Sequence, residues 1–164
     1  MSTIKNIPAV KDPLIKKLHA ANENRGLWFY YLLKNAHDKG YDIEEIARRG
    51  IRAVGHSNRE NHPDTTDLKT MVDSFMGDSV NRKLFDMEIV SETEDEVHIE
   101  FHYCPMCGQW IKTSDDQEFI EKICDIAMDV DRGLFDMYDC FEFELGKTIC
   151  QGHDTCQVCI RKTK

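Results

Sequence analysis

Apolar residues recur at helical spacing along the first half of the chain and at strand spacing along parts of the second. From Asp12 or Pro13 to about Asp38, Leu14, Leu18 and Ala21 return every three or four positions. A denser apolar stretch follows from Leu27 to Leu33, and Gly40 ends the run. This predicts a helix, with Gly26 as the point where it would split. Asp42 stands as N-cap of a second helix, and Glu45 offers the return bond of a capping box. Ile43, Ile46, Ala47 and Ile51 form its apolar face. Acids in the loop HPDTTD (62–67) can cap a third helix from about Leu68 to Met76.

The period then changes to two. Met87 and Ile89, then Val97, Ile99, Phe101 and Tyr103, alternate with polar residues around the turn SETEDE, which predicts a hairpin. After a turn at CPMC (104–107), one long helix is expected, capped by Ser114 or Asp115, with Phe119, Ile120, Ile123, Ala127, Val130 and Leu134 as its buried stripe. The segments CFEFELGKTIC and TCQVCIRK flank QGHD as a second hairpin. Helices followed by β-β-α-β-β make an α+β fold with an antiparallel sheet packed against helices. No repeat, low-complexity tract or linker divides the chain. Residues 1–164 are read as one domain, mainly helical to about 80, with β-β-α-β-β over 86–164.

Composition narrows the function. A chain of 164 residues can bury a real core, and 41% hydrophobic with 31% charged residues is ordinary for a folded soluble protein. A net charge of −9 disfavours nucleic acid or an anionic membrane as the main partner. No apolar run approaches the roughly 20 residues of a membrane span, and MSTIKNIPAVKDP lacks the apolar block of a secretory signal. A cytoplasmic protein is expected. There its seven cysteines should be thiols, which at close spacing serve as ligands or reactive groups.

Two Cys-x-x-Cys pairs stand out, Cys104/Cys107 and Cys156/Cys159. Zinc and iron favour thiolates, and two such pairs can supply four tetrahedral ligands. Gly108, after CPMC, would allow a left-handed step behind the second ligand of a metal knuckle. Strand parity objects: residues three apart on a regular strand face opposite ways, so Cys156 and Cys159 can share an ion only if the strand starts late or bulges. Otherwise Cys156 is a core residue and Cys159 lies on the other face. Cys150 and His153 are reserve ligands. In HIEFHYC, the residues His98, Glu100, His102 and Cys104 have the parity of one strand face, able to hold a metal or to act in acid–base chemistry. The alternative is an exposed polar strip. Cys124 lies beside the stripe of the long helix, with Asp131 seven residues on along the same line, while Asp125 and Asp129 read as an exposed acidic face. The run LWFYY (27–31) reads as core, although Tyr30 and Tyr31 cannot both be buried cheaply. Arg25 ahead of it could anchor a carboxylate.

The C-terminal half has a further pattern. A strand ends in HYCP (Cys104, Pro105), a helix carries Cys124 in EKICDIA, KTICQGHDTC brings Thr148, Gly152 and Cys156, and CQVCIRK closes the chain. With ENRGLWFYYLL and IARRGIRAVG upstream, this resembles the L-2-amino-thiazoline-4-carboxylic acid hydrolase family over roughly residues 20–162. Cys107 departs from the family pattern, and His153 separates the Gly152 and Asp154 that the pattern would place together. The resemblance implies hydrolysis of a cyclic amidine. Water adds at the carbon between sulfur and nitrogen, and the ring opens by expelling a thiolate to leave N-carbamoyl-cysteine.

That reaction needs an activated water, a stabilised leaving sulfur and a cation for the substrate carboxylate. Cys104, Cys124 and His102 are the expected catalytic groups. Cys104, Cys107, Cys156, Cys159 and His153 are the expected metal ligands, with zinc the first choice and an iron–sulfur cluster the alternative. Two other readings belong to different classes: a non-catalytic zinc, iron–sulfur or small-molecule-sensing domain, and a thiol-redox protein using CPMC as its dithiol.

Overall fold

The computed structural model describes residues 4–163, so the first three residues of the opening stretch lie outside the described residues. Along the chain run α1 (Pro13–Asp38), α2 (Ile43–Asn58), α3 (Leu68–Met76), α4 (Ser79–Phe85), β1 (Met87–Glu92), β2 (Glu96–Phe101), α5 (Pro105–Thr113), α6 (Gln117–Ala127), α7 (Asp129–Phe135), β3 (Phe141–Leu145) and β4 (Cys156–Lys162). The strands form one antiparallel sheet in the order β1-β2-β4-β3, and the α+β arrangement is the one expected. No described helix is long and apolar enough to cross a membrane.

Caps account for most helix starts. Asp12, Asp42, Asp67, Asp78 and Asp116 each accept backbone N–H groups from the first turn that follows them. Gly40 follows α1 with φ +79°, the left-handed step after a helix end.

Two clusters divide the core. On one face of the sheet Val97, Ile99, Val158, Ile160 and Phe141 pack against Met71, Val72 and Met76 of α3 and Leu134 and Phe135 of α7. The other cluster is helical. Tyr30, Leu33, Trp110, Phe119, Ile120, Ile123 and Ile126 enclose Cys107, Cys124 and Cys150, with Cys104 and Cys156 packed against them.

Several expectations are corrected. Helix α1 is continuous through Gly26, which serves a close approach instead: a Cβ there would lie 3.0 Å from the Met106 backbone, and Trp110 Nε1 donates to the Gly26 carbonyl at 2.8 Å. Its buried face is one residue round from the predicted stripe, with Ile15 and His19 inside and Leu14 exposed. Buried His19 is tolerated because its Nε2 pairs with the Leu84 carbonyl, 2.9 Å away. The CPMC segment is not a knuckle but the first turn of α5. Gly108 is helical there and makes room, since a Cβ would come 3.1 Å from Asn6 Nδ2.

The predicted long helix breaks at Met128, starts from Asp116, and so interrupts the line from Cys124 to Asp131. Asp129 is only 2% exposed rather than part of a solvated face. It meets Arg48 at 3.2 Å and Arg132 at 2.9 Å, and those two cations also hold Asp125. Burial alone would raise the Asp125 pKa, and the bonds from Arg132 and Arg48 bring it below its ordinary value instead. Within LWFYY, Tyr30 is buried while Trp28 and Tyr31 are exposed.

Candidate functional site

All seven cysteines are free thiols, and five of them converge in the helical cluster. Cys104 leaves β2 as the N-cap of α5, with Pro105 as the first helical residue, and its Sγ accepts the Cys107 N–H at 3.5 Å. Cys107, one turn into α5, is fully buried. Cys124 comes from α6. Cys150 sits in the 3-10 turn Ile149–Gln151, which Thr148 and Gln151 close as a capping box. Cys156 opens β4, and its Sγ accepts the Ile149 N–H at 3.3 Å. Asn6 fixes the backbone of Cys104 from both sides, donating to its carbonyl at 2.7 Å and accepting its N–H at 3.0 Å.

The electrostatics follow from burial. Desolvation pushes the Cys104 thiol well above its usual pKa, and the neighbouring Cys107, Cys156 and Cys124 add to the rise. The Cys150 thiol is raised by its contacts with the Cys107 and Cys124 thiols and then by burial. Cys156 is pushed up to about 12, by burial first and Cys124 second. At neutral pH these three are therefore protonated. A thiolate nucleophile is disfavoured there, whereas an entering cation would reverse the balance.

Beside the thiols a cavity of about 200 Å³ opens between α1, α2, α5 and the α6–α7 junction, lined by Phe29, Ile51, Met106, Ala127 and Val130 with Arg25 as its cation. Met106 lies between the two cysteines of α5, and Arg25 Nη2 reaches its Sδ at 3.6 Å. Next to Val130, the Asp131 carboxyl is pushed up to about 7, because burial outweighs the pull of Arg132 and Arg25. A larger cavity of about 550 Å³ lies elsewhere, between Arg132, Tyr138, Phe143 and Arg161. Carboxylates already engage its arginines, so it offers less chemistry.

The expected site residues are thus divided. Cys104, Cys107, Cys124 and Cys156 come together, joined by Cys150. Cys159 is on the opposite face of the sheet, where it pairs across with His98, as strand parity allowed. His102 lies beyond the end of β2, its Nε2 3.3 Å from Glu88. His153 is exposed after the 3-10 turn. Among the described residues, the donor atoms that lie within 4.8 Å of one another as a group of three are those of Glu96, His98 and Cys159, so no three core sulfurs lie that close together, although the Cys150 thiol contacts those of Cys107 and Cys124. In the sequence, Asp131 stands out only for its alignment with Cys124, and no motif marks its raised pKa, which comes from burial.

Comparison with known proteins bears on both fold and family. No curated protein matches the sequence. Among solved structures, the chain is similar to a trafficking protein particle complex subunit 3 from Naegleria fowleri, determined covalently bound to palmitic acid. The two share 14% identity with a TM-score of 0.62, over 88% of this chain and 96% of the other, a likeness of fold alone. The family model described as L-2-amino-thiazoline-4-carboxylic acid hydrolase matches residues 21–160, a span that contains Arg25, Asp131 and all five core thiols. The chain belongs to the L-2-amino-thiazoline-4-carboxylic acid hydrolase family.

Proposed function

We propose that the protein is a hydrolase opening a small cyclic amidine that carries a carboxylate, of the 2-aminothiazoline-carboxylate kind, in the cavity between Arg25, Met106 and Val130. The observation that carries this reading is a small apolar cavity with Arg25 in its wall, whose lining residue Val130 is followed in the chain by Asp131, a carboxyl that burial raises to about 7. General bases work best with a pKa near the working pH. Asp131 takes a proton from water as the oxygen adds to the ring carbon between sulfur and nitrogen. The carbon–sulfur bond then breaks, the proton returns from Asp131 to the leaving sulfur, and the remaining hydroxyl proton passes to the ring nitrogen, so that one water is consumed and a urea and a free thiol are formed. Arg25 binds the substrate carboxylate, and the apolar wall of Phe29 and Ile51 keeps bulk water from the reacting atoms. Cys104 acts as a neutral S–H group near the departing sulfur, with Cys124 packed beside it. Incubating the purified chain with the thiazoline and following thiol release tests this. Asp131→Asn should lower kcat by about 100-fold or more, and Arg25→Gln should chiefly raise KM. Absence of ring opening by the wild-type chain removes this substrate class.

A second reading is favoured by the thiols themselves. Two backbone N–H groups already point at Cys104 and Cys156 Sγ, as they would at a bound centre's thiolates. An arrangement in which no three core sulfurs lie within 4.8 Å of one another does not suit a single zinc ion, whose bonds of about 2.3 Å hold its sulfurs no more than about 4.6 Å apart. It suits a polynuclear iron–sulfur centre held by Cys104, Cys124 and Cys156 with Cys107 or Cys150, which would supply a Lewis-acidic or redox-active iron. Protein purified without oxygen would then be brown and carry iron and sulfide, and Cys104→Ser would lose both. Colourless, iron-free protein would leave the thiols without that role.

A further inference from the structure

On the far side of the sheet from α3 and α7 lies a second group of ligand atoms, on residues that the hydrolytic site does not use. Glu96 and His98 are two apart on β2 and so share its outer face, and His98 stands directly across from Cys159 on β4. His98 Nε2 is 3.1 Å from Glu96 Oε1 and 3.9 Å from Cys159 Sγ, and the three donor atoms all lie within 4.8 Å of one another. Bonds of about 2.0–2.3 Å in a tetrahedron separate ligand atoms by about 3.3–3.8 Å. The triad brackets that range before any adjustment.

We propose that Glu96, His98 and Cys159 form a zinc site on the outer face of the sheet, with three protein ligands and an open fourth position. The donor set suits the ion, since an imidazole nitrogen, a carboxylate oxygen and a thiolate sulfur are the ligands borderline-soft Zn²⁺ takes. A thiolate and a carboxylate together balance its charge. Among themselves the three groups are poorly matched. One ring nitrogen faces both an oxygen acceptor and a thiol, so as an acceptor it confronts Glu96 and as a donor it leaves the Cys159 sulfur unmatched. A cation at the centre satisfies all three atoms at once.

Access is open, because the side chains of Glu96 and His98 are each more than 40% exposed while Cys159 is buried beneath them. The nearest competing cation, Arg161, stands opposite Glu96 and is engaged by Glu144. Glu144 in turn lies directly across from Cys159 on β3 and can serve as the fourth ligand if it releases Arg161.

Cobalt(II) is the spectroscopic probe. Titrated into the reduced full-length chain it should give a sulfur-to-cobalt charge-transfer band that zinc bleaches, with one zinc per chain bound at this site. His98→Ala and Cys159→Ser should each remove that band and weaken zinc binding at least 10-fold, with Glu96→Gln intermediate. Cys104→Ser should keep both, and thiazoline hydrolysis should be unchanged in His98→Ala. Wild-type protein without the band, or a band that survives in both His98→Ala and Cys159→Ser, overturns the proposal. Circular dichroism of each variant checks that the fold is retained, and the surface change His98→Ala keeps the test decisive if Cys159→Ser unfolds.

Discussion

Replacing Gly133 by alanine should cost stability although alanine is the better helix former. Gly133 lies in α7 against α2, and a Cβ there would sit 2.3 Å from the Arg52 carbonyl oxygen and 3.0 Å from its Cα. The obstacle is backbone, so no rotamer change relieves it. The two helices must part by at least 0.7 Å for that oxygen to reach even 3.0 Å. Overpacking of this kind costs about 1–3 kcal/mol, and the upper end applies because a whole helix must move. Helix propensity returns about 1 kcal/mol. The net loss is therefore about 2 kcal/mol, or about 4–8 °C in Tm for a chain of this size. Urea unfolding followed by circular dichroism measures it. Gly50→Ala in α2 is the control, since nothing lies within 4 Å of its added Cβ, and it should gain stability instead. The contact is reciprocal, because a Cβ on Gly55 would lie 2.1 Å from the Val130 carbonyl oxygen. Gly55→Ala should be destabilising too, and the double variant should lose less than the sum, since one separation of the helices accommodates both methyl groups. A Gly133→Ala protein as stable as Gly50→Ala would refute the reasoning.

Other substitutions follow the same logic. Asp131→Asn should stabilise the fold at pH 8 while removing activity. A carboxyl with pKa 3.8 unfolded and about 7 folded carries a cost that is absent below about pH 4 and complete above pH 7. The gain over wild type, about 1–4 kcal/mol at about 1.4 kcal/mol per pKa unit, should vanish in urea melts at pH 4. Asp136 behaves oppositely. The bond from Arg52 holds its pKa below the ordinary value, so its contribution is present at neutral pH and lost as acid takes the pH down through that lowered pKa. Asp136→Asn should therefore flatten the acid limb of the stability profile. Trp110→Phe leaves the Gly26 carbonyl without its buried donor and should cost about 1–3 kcal/mol in chemical denaturation. Iodoacetamide at pH 7 should leave Cys104, Cys150 and Cys156 unmodified in the native protein and label them in urea, as mass spectrometry of the digest would show.

Periodicity and caps were enough to place most elements, because those signals are local. The stripe from Phe119 to Val130 and the alternation from Val97 to Tyr103 are each decided within a few turns or strand residues. Helix α4 has seven residues and one buried leucine, too short for a stripe, and only Asp78 marks its start. Metal-ligand spacing at CPMC suggests a turn, yet the segment opens α5, and Pro105 after a cap-forming residue is itself a helix-start signal. Metal-ligand spacing drew attention to the cysteines, whereas the glycine after them serves Asn6, a partner 98 positions from Cys104. Asp129 looked solvated because acids four apart on a helix usually are, and its partner Arg48 lies 81 residues away. The site was legible as far as strand parity reaches. Parity turns Cys159 away from Cys156, but nothing local announces that it meets His98, that Cys150 joins the thiols or that Asp131 is desolvated.

The amide of Asn6 makes the opening segment a latch on the mouth of α5. Residues 4–12, without regular structure, hold the backbone at the first thiol by two hydrogen bonds from Asn6, with Ile4 pressed into the helical core beside them. Trimming that strap, or pulling on it through a fused tag, would loosen the sulfur that begins the cluster before any helix unravels. A shortened chain could therefore keep its circular dichroism and still be the wrong protein to assay.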